Sequence, residues 1–224
     1  MGLWIRIWNN QDKNKKSYFA FFARAEPSYR SAYSKIKKLT LYIQPLEKLD
    51  PSTILFSIPT ISNEIALTGP TAFFNDFTLE LHEDNWRQIE YLPTSLLPVI
   101  QEEMAEVEKI LFPENEEELT PGYKEIHVRK RIGVNHLAIP FEEFCELTGI
   151  SKRGCIQFFG YDGFVENGFA LRSANYTYYG TMQGNVIKEL CLESFESAET
   201  EFYQVLAQYN LVLVSWCNGQ ISTI

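Results

Sequence analysis

A chain of 224 residues with 45% hydrophobic and 22% charged residues is too apolar for disorder and long enough for one large domain or two of about 100 residues. Its formal net charge of −9 argues against general binding to nucleic acid, whose phosphates need clustered cations, and against an anionic membrane surface. No run approaches the ~20 apolar residues of a membrane helix, and the sequence has no glycine-rich phosphate loop, no GxSxG and no His or Cys spacing typical of a metal site.

In chain order, Leu3, Ile5 and Ile7 alternate with Trp4, Arg6 and Trp8, which predicts a strand. Arg6 inside this apolar stretch, with no small-residue cleavage site after it, speaks against a signal peptide. A second strand is expected over 17–24, a short basic helix over 29–38 and a strand over 39–43. Pro45, Pro51 and Pro59 then break the chain into short extended pieces. Phe77–His82 alternates as a strand, and Asp84 is placed to cap a short helix running to Tyr91.

The clearest helix of this half starts near Ser95, takes Pro98 in its first turn and ends at Pro113. Leu96, Ile100, Met104, Val107 and Leu111 form its apolar stripe. Glu102 and Glu106 fall on the opposite side, whereas Glu103 projects into the apolar arc. Such a carboxylate requires either a paired cation or a partner interface.

Past the acidic run 113–122, the basic piece Tyr123–Ile132 reads as a strand, with the adjacent charges Arg129, Lys130 and Arg131 expected to face water. A short helix follows Pro140 and stops at Gly149. Strands are expected at 155–160, 169–171 and 176–181, with Asp162-Gly163 and Asn167-Gly168 as turns. A helix over 195–209, an apolar strand over 211–217 and a hairpin turn at Asn218-Gly219 close the chain. The segments 77–92 and 189–206 share a strand, acidic cap and helix layout, which coincidence or a weak duplication would explain.

These elements define an α+β class: mostly antiparallel sheet with four to five helices. Two subdomains, 1–112 and 123–224, would flank an acidic connector at 113–122; one continuous domain is the alternative. The four cysteines are widely separated with no CxxC. Without a secretion signal they read as buried free thiols of a cytoplasmic protein.

The charge is unevenly placed. From Glu83 to Glu118 there are eleven acidic residues against Arg87 and Lys109, so this block alone equals the net charge of the chain. Such a block is either a solvated helix face with a linker or a surface complementary to a basic partner, whose association its field would steer. The candidate contacts are Glu102, Glu103 and Glu106, together with the Trp4, Arg6 and Trp8 strand face, since Trp and Arg are common interface anchors. The contiguous His82, Glu83 and Asp84 read as a cap with surface charge. No catalytic residue, metal or cofactor is assigned.

In its acidic stretch HEDNWRQIEYLPTSLLPVIQEEMAEVEKIL and its closing YNLVLVSWCNGQ, the chain resembles bacterial immunity proteins that neutralise secreted toxins. That resemblance implies a non-catalytic protein and a cognate toxin as the basic partner, with no nucleic acid and no membrane. Two other readings compete with it. One is an enzyme using Glu83, Asp84 or Glu103 as acid/base groups. The other is a subunit of a larger assembly joined through Trp4 and Trp8.

Overall fold

The structure is a computed structural model and describes residues 56–62, 66–68, 75–113, 123 and 125–224. The strands and helix expected before residue 44, the Trp4, Arg6 and Trp8 face, and the acidic connector 114–122 lie outside these. The described residues form thirteen strands and three α-helices. The short strands are β1 (Thr60–Ile61), β2 (Leu67–Thr68), β5 (His127–Val128), β6 (Ile139–Pro140) and β8 (Phe164–Val165). The longer ones are β3 (Thr78–Leu81), β4 (Ile89–Pro93), β7 (Lys152–Phe158), β9 (Gly168–Arg172), β10 (Thr177–Gln183), β11 (Val186–Leu192), β12 (Leu211–Ser215) and β13 (Gln220–Ser222). The helices are α1 (Leu97–Leu111), α2 (Phe141–Thr148) and α3 (Thr200–Tyr209).

Nine strands make one mixed sheet in the order β13-β12-β4-β11-β10-β9-β7-β3, with β6 also on β11. β3 runs parallel to β7 at one edge. A parallel pair needs a long crossover, and here the chain passes through β4, α1, β5, β6 and α2 between the two strands. The expectation of mostly antiparallel sheet with four to five helices is therefore corrected to a mixed nine-stranded sheet with three helices among the described residues. One expected helix, from Asp84 to Tyr91, is a single 3-10 turn (Glu83–Asn85) followed by β4. β4 sits between β11 and β12, and Glu90, Tyr91 and Leu92 are all buried, so its pattern carries no alternation that would betray a strand. The 77–92 segment thus ends in a strand and the 189–206 segment in a helix, which removes the apparent duplication.

β4, from before the acidic connector, pairs with β11 and β12 from after it, and β3 pairs with β7. Residues 49–224 accordingly form one compact unit. Within it α1 covers one face of the sheet, where Ile100, Met104 and Val107 pack on Leu92, Val212, Val214 and Trp216. α2 and α3 cover the opposite face through Phe141, Phe144, Phe202, Val205 and Leu206, against Tyr91, Tyr178, Leu190 and Leu213. Each of these large side chains contributes about 1.5–3 kcal/mol by leaving water.

The ends of α1 and α2 follow local signals: Pro98 lies in the first turn of α1, and Gly149 ends α2 in the left-handed conformation. α3 starts five residues later than its apolar pattern, at Thr200. Residues 193–199 are irregular and are tied to Tyr176, whose hydroxyl donates to the Ser197 carbonyl and accepts from the Glu199 N–H.

Among the described glycines, Gly180 leaves the least room for a side chain. A Cβ there would lie 1.9 Å from the Glu189 carbonyl oxygen and 3.2 Å from Phe169. Gly180→Ala must push β10 away from β11, and urea denaturation is expected to show a loss of about 2 kcal/mol. A loss under about 0.5 kcal/mol would mean that the two strands separate freely.

Candidate functional site

The chemistry-bearing residues gather on the α1 side of the sheet, where β4 leaves the 3-10 turn. Arg87 adopts a left-handed backbone, φ 56°, that a non-glycine residue rarely takes. Two contacts hold it there: its N–H is accepted by the Tyr179 hydroxyl at 3.1 Å, and its carbonyl accepts from Arg129 Nη1 at 2.9 Å. Strain of this kind persists only where surrounding contacts over-determine it, and it concentrates at functional sites.

Beneath Arg87 lies a buried ion cluster. Glu90 accepts from Arg87 Nε at 2.7 Å, from Arg129 Nη1 at 2.9 Å and from Trp216 Nε1 at 2.8 Å. Arg129 also sits over the Trp216 ring, 5.0 Å from its centroid. The RKR run therefore does not face water as a unit: Arg129 is 2% exposed, while Lys130 and Arg131 point outward. Burial pushes the Arg129 guanidinium down and Glu90 opposes it; for Arg87, Glu90 and Glu189 overcome burial and raise the pKa. Both arginines stay cationic.

A second anchor holds the segment after β5. Glu103 is fully buried at the α1 surface. One of its oxygens meets His127 Nε2, and the carboxylate also accepts the backbone N–H groups of Lys130, at 3.3 Å, and Arg131, at 2.7 Å. Burial alone would raise its pKa, but His127 and the two N–H groups outweigh it and leave Glu103 below the usual carboxylate range. The carboxylate in the apolar arc has thus found its partners inside the chain. Its role is to position residues 127–133, and Arg87 Nη2 fixes the end of that segment through the Gly133 carbonyl at 2.8 Å.

Together these anchors shape a cleft of about 500 Å³. Arg87, Trp86, Glu189 and Thr181 lie at its base, with Val134, Asn135, Glu166, Asn167, Gln183 and Lys188 around it. Thr181 donates to Glu189 Oε2 at 2.6 Å. The other oxygen, Glu189 Oε1, is buried with no hydrogen bond and lies 3.6 Å from Arg87 Nη1. Asn135 and Asn167 share the left-handed conformation, φ 65° and 55°.

The remaining candidates separate. On the outer side of α1, Glu102 is exposed and Glu106 half-buried; Glu102 lies 3.8 Å from Arg131 Nε and Glu106 pairs with Lys109 at 3.0 Å. Both are surface pairs that compete weakly with a partner. Glu83 accepts from the Tyr161 hydroxyl at 2.6 Å. Asp84 is exposed, its pKa raised by partial burial and by Glu83, with His82 opposing. Glu83, Asp84 and Glu103 do not converge on one cleft. Cys145, Cys155 and Cys191 are buried free thiols and Cys217 is half-buried. Among the described residues no group of His, Cys, Asp or Glu is placed to hold a metal ion, and no helix is long and apolar enough to cross a membrane.

Sequence reasoning missed Arg87, Arg129 and Glu189, because nothing in a local pattern tells a buried arginine from a solvated one. No protein-family model matches the chain, and comparison with curated proteins and with solved structures finds no similar one. The described residues of the 49–224 unit form a sheet covered by helices on both faces, with a polar cleft over Arg87 and Glu189.

Proposed function

We propose that this chain is a non-catalytic binding protein whose acidic surface recognises a basic protein partner, as an immunity protein does when it occludes a toxin. The observation that supports this most is the outer side of α1. Glu102 and Glu108 lie exposed there and Glu106 half-buried, on a helix locked to the sheet by Ile100, Met104 and Val107. A rigid helix presenting carboxylates steers a basic surface at little ordering cost. Glu103 does not belong to the contact; it holds the neighbouring segment in place.

Affinity capture from the native cell tests the reading. The wild-type chain is expected to retain a stoichiometric basic protein, and Glu102→Lys with Glu106→Lys to lose it while remaining folded by circular dichroism. Equal capture by both, or capture of no basic protein, would overturn it.

A further inference from the structure

We propose that the outer edge of β3 takes an extended, lysine- or arginine-bearing segment of a protein partner as a further strand of the sheet. β3 is the last strand of the nine-stranded sheet, and among the described residues no strand pairs with its other edge. The ladder to β7 shows which groups are left over. The carbonyls of Phe77 and Leu81 accept from the N–H groups of Cys155 and Phe159, and the register runs without a break from Thr78 to Leu81. A parallel ladder engages alternate residues. Leu79 and Leu81 therefore bond to β7, and Thr78 and Glu80 turn their N–H and C=O groups outward. Both of these residues are exposed.

An open edge of this kind is a template for another strand, and proteins usually blunt it with proline, lysine, a bulge or a cover. β3 has no proline, lysine or bulge. The opposite edge of the sheet, β13, is only three residues long.

Charge selects the occupant. Residues 75–85 hold Asp76, Glu80, Glu83 and Asp84 and no lysine or arginine. The arginines near the start of β3 are engaged: Arg153 pairs with Glu142 at 2.7 Å, and Arg172 lies over the Phe77 ring. Lys152 lies before the paired stretch of β7, which begins at Cys155. A second copy of this chain would set two acidic edges against each other, which like charges oppose, whereas a basic segment is attracted. Phe159, 46% exposed beside His82, offers an apolar face for the stems of long cationic side chains. α1 packs over β4 and β12, and β4 is five strand positions from β3, about 24 Å. This surface is therefore separate from the carboxylates of α1.

The test titrates the protein with acetyl-Lys-Val-Lys-Val-Lys-amide at millimolar concentration, read by amide chemical shifts and hydrogen exchange. Acetyl-Glu-Val-Glu-Val-Glu-amide reverses the charge, and acetyl-Lys-Pro-Lys-Pro-Lys-amide keeps the charge but cannot complete a strand ladder. The first peptide is expected to shift Thr78 and Glu80 and to slow exchange of their N–H groups, with the other two binding about tenfold more weakly or less. Glu80→Pro removes one outward donor and leaves the bonds to β7, so it should stay folded and lose about tenfold in affinity. Glu80→Lys keeps the donor and should weaken binding through charge alone. Shifts that map away from β3, equal binding of the proline or glutamate peptide, unchanged affinity of Glu80→Lys, or no binding at millimolar concentration would each overturn the proposal. Glu102→Lys with Glu106→Lys should bind at β3 as the wild type does, so this reading and that of α1 fail separately.

Discussion

Glu90→Gln is expected to destabilise the protein by about 3–5 kcal/mol, measured by urea denaturation at neutral pH. Glu90 is the one carboxylate shared by two buried arginines, and it also accepts from Trp216. A glutamine keeps the shape but turns an N–H₂ group toward one of three donors and removes the negative charge. Arg87 then has Glu189, at 3.6 Å, as its counter-ion and the Gly133 carbonyl, and Arg129 has backbone carbonyls and the indole face. Losing one partner of a buried pair costs far more than the pair contributes, because an uncompensated charge is left in the interior. The left-handed backbone of Arg87 depends on the same cluster through Arg129 Nη1. Loss of Glu90 is therefore expected to loosen the cleft as well, seen as faster exchange of the Arg87 N–H, which the Tyr179 hydroxyl accepts. A variant within about 1 kcal/mol of wild type would show that the cluster is not the keystone of this face.

Glu103→Ala is the second large effect, about 3–4 kcal/mol, since His127 and the N–H groups of Lys130 and Arg131 all lose their acceptor. Glu103→Gln should cost less, because a carbonyl oxygen still accepts one N–H. The two variants differ in acid. The folded-state pKa of Glu103 is lowered, so its contribution is complete above the ordinary glutamate value of about 4.3 and is lost as pH falls through the depressed folded value. Stability of the wild type should drop through that window more steeply than that of Glu103→Gln. Parallel pH profiles for the two proteins would contradict the assignment.

What the sequence made legible follows from how local each signal is. The turns at Asn167-Gly168 and Asn218-Gly219, the Pro98 start of α1 and the Gly149 stop of α2 are written in two or three residues, and the structure has them all. The wrong-face position of Glu103 correctly announced a need for a partner, though not that His127 would supply it. β4 was not legible, because a strand buried on both faces looks like any short apolar piece until β11 and β12 are placed beside it. The cleft was hidden for the same reason. Trp86, Asn135 and Glu189 come together only through pairings that span a hundred residues of sequence.

The central claim is that α1 presents carboxylates to a basic partner, and the affinity of the captured partner as a function of salt tests it most directly. Raising salt from about 50 mM to about 300 mM is expected to weaken wild-type binding by about tenfold or more. Glu102→Lys with Glu106→Lys should bind weakly at both concentrations with little salt dependence. Wild-type affinity that does not change with salt, and is matched by the reversed variant, would contradict the claim.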